Sequence, residues 1–135
     1  MQITTDVPAQ WIADLFITAI ESGDPVTTGF KGGWCDGIFW QSRNETPPKT
    51  TEDPWYAAPA LYERSDFKLE IVEIDDETTG HKTSHFIGAD ELQLGLRTMA
   101  TKFPHLFSQI IKEEIDSDCA DIFLQCVCFG KEKYA

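Results

Sequence analysis

Positive charge is what this sequence has least of. Against 23 aspartates and glutamates stand 11 lysines and arginines, a net charge of −12. The basic residues are scattered singly from Lys31 to Lys133 and form no patch, so the chain repels nucleic-acid phosphates and anionic lipid. Direct nucleic-acid binding is not expected. Long apolar runs are also missing, since no stretch approaches the roughly 18 residues that a membrane span requires. The opening residues carry Asp6 and Asp14 but no basic n-region, which argues against a secretory signal. The expectation is a soluble intracellular protein.

Cysteine is sparse. Cys35, Cys119, Cys126 and Cys128 lack the regular framework of a secreted scaffold, and three of them crowd one apolar segment, where free thiols behave as small hydrophobes. Reduced thiols follow. Without a secretory route the glycosylation-type triplet Asn44-Glu45-Thr46 carries no meaning. The glycine segment Gly29-Phe30-Lys31-Gly32-Gly33 has neither a GK[ST] ending nor GxGxxG spacing, so a phosphate-cradling loop is not indicated.

What is present suffices for one compact domain: 135 residues, 41% of them hydrophobic and 12% aromatic. Residues 8–21 predict a helix, with Trp11, Ile12, Leu15, Phe16, Ala19 and Ile20 on one stripe, Asp6 as N-cap, and Ser22-Gly23-Asp24-Pro25 as the stop. Residues 34–87 combine an irregular aromatic segment with a hairpin. Residues 34–41 can form a strand, and Asn44 to Pro54 is a long polar loop, a candidate for mobility or partner contact. FKLEIVEI (67–74) alternates as a half-buried strand, and residues 75–80 have turn chemistry. Residues 81–87 then return as a second strand.

From residue 88 to 130 the pattern is helical. Gly88 is a tolerated N-cap, and Leu92, Leu96, Met99 and Ala100 form a stripe. Pro104 starts a second helix to Glu114, with Leu106, Phe107, Ile110 and Ile111 inward. Ser117 or Asp118 would cap a third helix, apolar nearly all round and therefore central. IFLQCVCF within it also reads as a buried strand. The fold class predicted is α+β: a small antiparallel sheet of two or three strands packed on an N-terminal helix and a C-terminal three-helix block.

Reaction chemistry is hard to assemble. Cys126 and Cys128 would point roughly 200° apart on a helix, and His81 and His85 stand roughly 13 Å apart along a strand. Asp116-x-Asp118 opens like a calcium loop, but Ala120 and Asp121 stand where a further ligand and a turn glycine belong. No metal site or cofactor is expected. Cys35 is the one candidate nucleophile, with His81, His85 or His105 as base, although an acidic chain is a poor setting for a thiolate. The protein is expected not to be an enzyme. The carboxylate runs Asp75-Asp76-Glu77 and Glu113-Glu114 read as solvated faces rather than acid–base pairs.

Two features remain: the aromatic residues Phe30, Trp34, Phe39, Trp40, Trp55, Tyr56 and Tyr62, and the acidic surface. The aromatics either roof the hairpin and first helix or include exposed anchors for a partner. On the second reading the contact residues are Trp34, Trp40, Trp55, Tyr56, Asp75, Asp76 and Glu77. A small-ligand pocket near Trp34, Trp40, Trp55 and Tyr56, suited to a nucleotide-type metabolite, is the alternative. Carboxylates can also stand in for phosphates in a basic groove.

Three stretches carry a resemblance: Ile17-Thr18-Ala19-Ile20-Glu21-Ser22-Gly23; Leu92-Gln93-Leu94-Gly95-Leu96 with Met99-Ala100 and Lys102-Phe103-Pro104; and Asp121-Ile122-Phe123-Leu124-Gln125 with Phe129-Gly130 and Tyr134. In order and spacing the chain resembles a family of small proteins encoded by tailed bacteriophages and prophages. The resemblance covers the first helix and the C-terminal block, a little under half the chain, and departs from the family pattern at Asp24 to Gly33 and Asn44 to Pro54. It implies phage origin, an accessory role and the host cytoplasm, and it supplies no catalytic residues. The resulting expectation is a protein that binds and modulates or inhibits a host protein, such as a defence or nucleic-acid-handling factor, with the aromatic surplus leaving room for a homodimer.

Overall fold

The computed structural model describes residues 7–21, 34–50 and 54–134. The Asp6 cap, the stop at residues 22–25 and the glycine segment with Phe30 lie outside them. Helix α1 is Ala9–Glu21, entered where the Pro8 carbonyl accepts the Trp11 and Ile12 N–H groups. Of the predicted stripe it buries Ile12, Leu15, Phe16 and Ala19, together with Ala13, while Trp11 and Ile20 are half-buried. Strand β1 is Cys35–Trp40, and single 3-10 turns at Trp55–Ala57 and Pro59–Glu63 pack the following segment against α1.

Strands β2 (Leu69–Asp76) and β3 (His81–Ile87) form the expected hairpin, and β1 joins it to make a three-stranded antiparallel sheet in the order β1-β2-β3. The fold is α+β. Leu69 and Ile71 face the helices within the core. The expectation of a half-buried β2 is corrected, because Glu70 and Val72 on its other face are buried too. Phe39 folds back over Gly37, the residue paired with Val72. Glu70 accepts the Ser84 hydroxyl at 2.5 Å and the Arg43 N–H at 2.8 Å. The polar loop after β1 is thus anchored at its start, with Arg43 also lying over the Phe39 ring.

Helix α2 is Ala89–Lys102. The Gly88 N–H donates to Glu91 Oε1 at 2.6 Å, so the first turn closes on itself. Helix α3 is Pro104–Ile111, shorter than its pattern suggested. The chain leaves it as the Glu113 and Glu114 N–H groups turn back onto the Ile110 and Gln109 carbonyls, with Glu113 at φ 57°. Ile111, expected inward, is 52% exposed. With Ile110 aimed at the core in so short a helix, its neighbour lies about 100° round the axis.

Helix α4 is Ser117–Phe129, so IFLQCVCF is helical. Its cap is Asp116, not Ser117 or Asp118: Asp116 Oδ1 accepts the Cys119 N–H at 2.8 Å. The run Ile122–Val127 is buried without a break, and α4 touches α1, α2, α3 and β3, the central position its apolar circumference predicted. It ends at Gly130, whose φ of 71° carries the chain back along the helix.

Candidate functional site

The structure divides the expected contact residues into separate groups. Trp34 and Trp40 are 5% and 4% exposed, so neither presents an open face while the chain's own residues cover it. This corrects the expectation for both. Trp34 donates its indole N–H to Asp121 Oδ1 at 2.9 Å and packs on Phe129 and Tyr134. Trp40 packs on Trp55 and Phe67 at the other end of β1, about 20 Å along the strand. The four aromatics of the alternative pocket therefore do not line one cavity.

Trp55 and Tyr56 are half-buried. The Tyr56 hydroxyl donates to Glu21 Oε2 at 2.5 Å, and its carbonyl accepts the Tyr62 hydroxyl. This joins the 3-10 segment to the last turn of α1. At the other end of the same helix, Trp11 Nε1 donates to Glu113 Oε1 at 3.1 Å. Gln10, Asp14 and Glu21 mark one outward line along the helix, and α1 contains neither lysine nor arginine. The result is a strip about 15 Å long, with an aromatic–carboxylate pair at each end.

In the hairpin, Asp75 accepts from His81 Nδ1 and Thr83 Oγ1, each at 2.6 Å. The Thr83 bond, followed by His81, holds its carboxyl below the usual aspartate range. Asp76 Oδ1 accepts the Thr78 and Thr79 N–H groups and shapes the turn. Both carboxylates are engaged within the hairpin, while Glu77 stands exposed beside them.

Cys35 is buried, and its thiol donates to the Gly37 carbonyl at 3.8 Å. Two of the proposed bases are held by carboxylates: His81 by Asp75 and His85 by Glu73 at 2.8 Å. His105 is exposed on α3. None of the four cysteines is in a disulfide. Burial pushes the Cys119 thiol up to about 12 and that of Cys126 to about 11. Cys128 is raised well above the ordinary thiol value, first by burial and then by nearby Cys35 and Glu73. Among the described residues, no group of three or more histidine, cysteine or carboxylate side chains is arranged to hold a metal ion.

The constellation that sequence reasoning missed centres on Glu73, 2% exposed in the middle of the sheet. It receives His85 Nε2, Lys133 Nζ at 2.6 Å and the Tyr134 hydroxyl. Burial is the largest single influence on its carboxyl and pushes it up, but the three donors together hold it below the usual range. One signal was available: Glu73 follows Leu69 and Ile71 at the strand's two-residue period, so its carboxylate falls on the apolar face. No protein-family model, curated protein or solved structure matches the chain.

Proposed function

We propose that this is a non-enzymatic accessory protein, of the phage type its resemblance implies, which binds and modulates a host protein. The contact surface is the acidic, aromatic strip along α1. The observation that carries this reading is the pairing of partly exposed aromatics with carboxylates at both ends of a helix free of basic residues, Trp11 with Glu113 and Tyr56 with Glu21. Aromatic anchors supply contact area, and carboxylates select a basic counterpart and speed its approach. A host protein with a basic groove, as in nucleic-acid handling, has that chemistry. The Glu73 carboxylate, by contrast, is taken up by three donors from within the chain.

The test is a pull-down from host lysate at low and high salt with the wild-type chain, the Asp14→Lys/Glu21→Lys double variant and Glu77→Lys. The expected result is a host protein retained by wild type and by Glu77→Lys at low salt, and lost at high salt and with the double variant. Retention of no host protein, or equal retention by the double variant, overturns the proposal.

A further inference from the structure

Gln125 lies in the middle of α4 with its side chain wholly buried, and most of its hydrogen bonding is directed at two residues of the returning tail. Its Oε1 accepts the backbone N–H groups of Lys133 at 2.8 Å and Tyr134 at 2.7 Å. Its Nε2 donates to the Tyr134 carbonyl at 3.0 Å and to Asp121 Oδ2 at 3.1 Å. One carboxamide thus pairs with the backbone of residues 133–134 much as a neighbouring strand pairs with an added peptide.

The side chains of those two residues are recognised separately. Lys133 Nζ and the Tyr134 hydroxyl both donate to Glu73 Oε2. The Tyr134 ring stacks on Trp34 with centroids 6.0 Å apart and planes 5° from parallel, and the lysine cation lies 5.0 Å from the Phe129 ring centroid. Receptor and ligand differ in burial. Gln125 and Glu73 are buried on helix and strand and Trp34 is buried just before β1, whereas Lys133 keeps 42% of its side chain exposed and follows α4 after the left-handed turn at Gly130.

We propose that the groove floored by Gln125, Glu73 and Trp34 is a binding site for a short peptide segment in which lysine is followed by tyrosine. The chain's own residues 133–134 occupy it, and the same sequence on a partner protein takes their place when the tail is displaced. Among the described residues these contacts come from two consecutive positions, so a separate peptide can reproduce them. A tethered tail competes at an effective concentration on the order of millimolar. The intact chain therefore binds such a peptide weakly, and a chain with a loosened tail binds it well. This groove lies apart from the α1 strip and does not depend on it.

The experiment titrates a fluorescein-labelled peptide Lys-Glu-Lys-Tyr-Ala into the full-length wild-type chain and into Tyr134→Ala, with anisotropy as readout and thermal unfolding as the check on folding. The variant is expected to bind at least about tenfold more tightly than wild type, because the competing tail has been weakened. A peptide with lysine and tyrosine exchanged is expected not to bind. Equal affinity for the two chains, no binding to the folded variant, or equal binding of the exchanged peptide overturns the proposal. Should Tyr134→Ala not unfold cooperatively, Lys133→Ala, altered at a partly exposed side chain, is judged by the same criteria.

Discussion

At the scale of single residues, Glu73 sets a pH limit on the fold. Its carboxyl sits below its ordinary value of 4.5 in the folded chain, because the donors Lys133, Tyr134 and His85 together outweigh the upward push of burial. A depressed carboxyl contributes stability that is fully present above the unfolded value and is lost as pH falls through the folded one. The urea midpoint is therefore expected to fall as pH drops below 4.5. Glu73→Gln should flatten that part of the profile and cost about 1–3 kcal/mol at neutral pH, as donors lose a charged acceptor. A variant with the same acid limb as wild type would remove Glu73 as its cause. The thiols give a second expectation. With Cys119 near 12 and Cys126 near 11, alkylation of both at pH 8 should be negligible in the native chain and rapid in denaturant, as read by mass spectrometry.

At the scale of elements, α2 approaches α4 closely at Gly95. A Cβ there would stand 2.5 Å from Val127 Cγ2 and 2.8 Å from Val127 Cα, so the obstruction includes backbone that cannot swing aside. Alanine would add up to about 1 kcal/mol of helix propensity, but overpacking costs about 1–3 kcal/mol or more. The expected net effect of Gly95→Ala is destabilisation, measured as a lower Tm; an unchanged Tm would mean that the helices can separate freely. Asp116→Ala should cost about 1 kcal/mol by removing the cap on α4.

These elements also show what could be read in advance. The helices and the β2–β3 hairpin were legible because their signals are local: stripes, caps, Pro104, and a turn between alternating runs. The shortness of α3 was not, since its end depends on Glu113 taking a positive φ and meeting Trp11 of α1. Whether Trp34 and Trp40 roof the core or face a partner was left open by the sequence for a similar reason. Each is covered by residues far along the chain or in 3-10 turns, which have no long period to detect. The Glu73 site was the least legible, because β2 and β3 must pair in register and the segment beyond Gly130 must return before its donors converge.

For the whole molecule, the charge imbalance makes salt the natural variable. Like charges at a net of −12 repel one another across a small surface, and screening relieves that repulsion. Raising the salt from about 10 mM to about 300 mM shortens the screening length from about 30 Å to under 10 Å. The Tm should rise over that range, and a fall would show that specific ion pairs such as Lys133 with Glu73 outweigh general repulsion. No helix among the described residues is long and apolar enough to cross a membrane.

The left-handed turn at Gly130 also bears on the order of events during synthesis. Glu73 and His85 leave the ribosome well before Lys133 and Tyr134, so for an interval the nascent sheet holds a carboxylate whose other donors have not yet been made. A chain cut short before Lys133 keeps that charge without two of its three donors and loses the ring that stacks on Trp34. The turn therefore makes the sheet depend on residues made long after its strands: it reaches its full stability only in a chain that has been read past Tyr134.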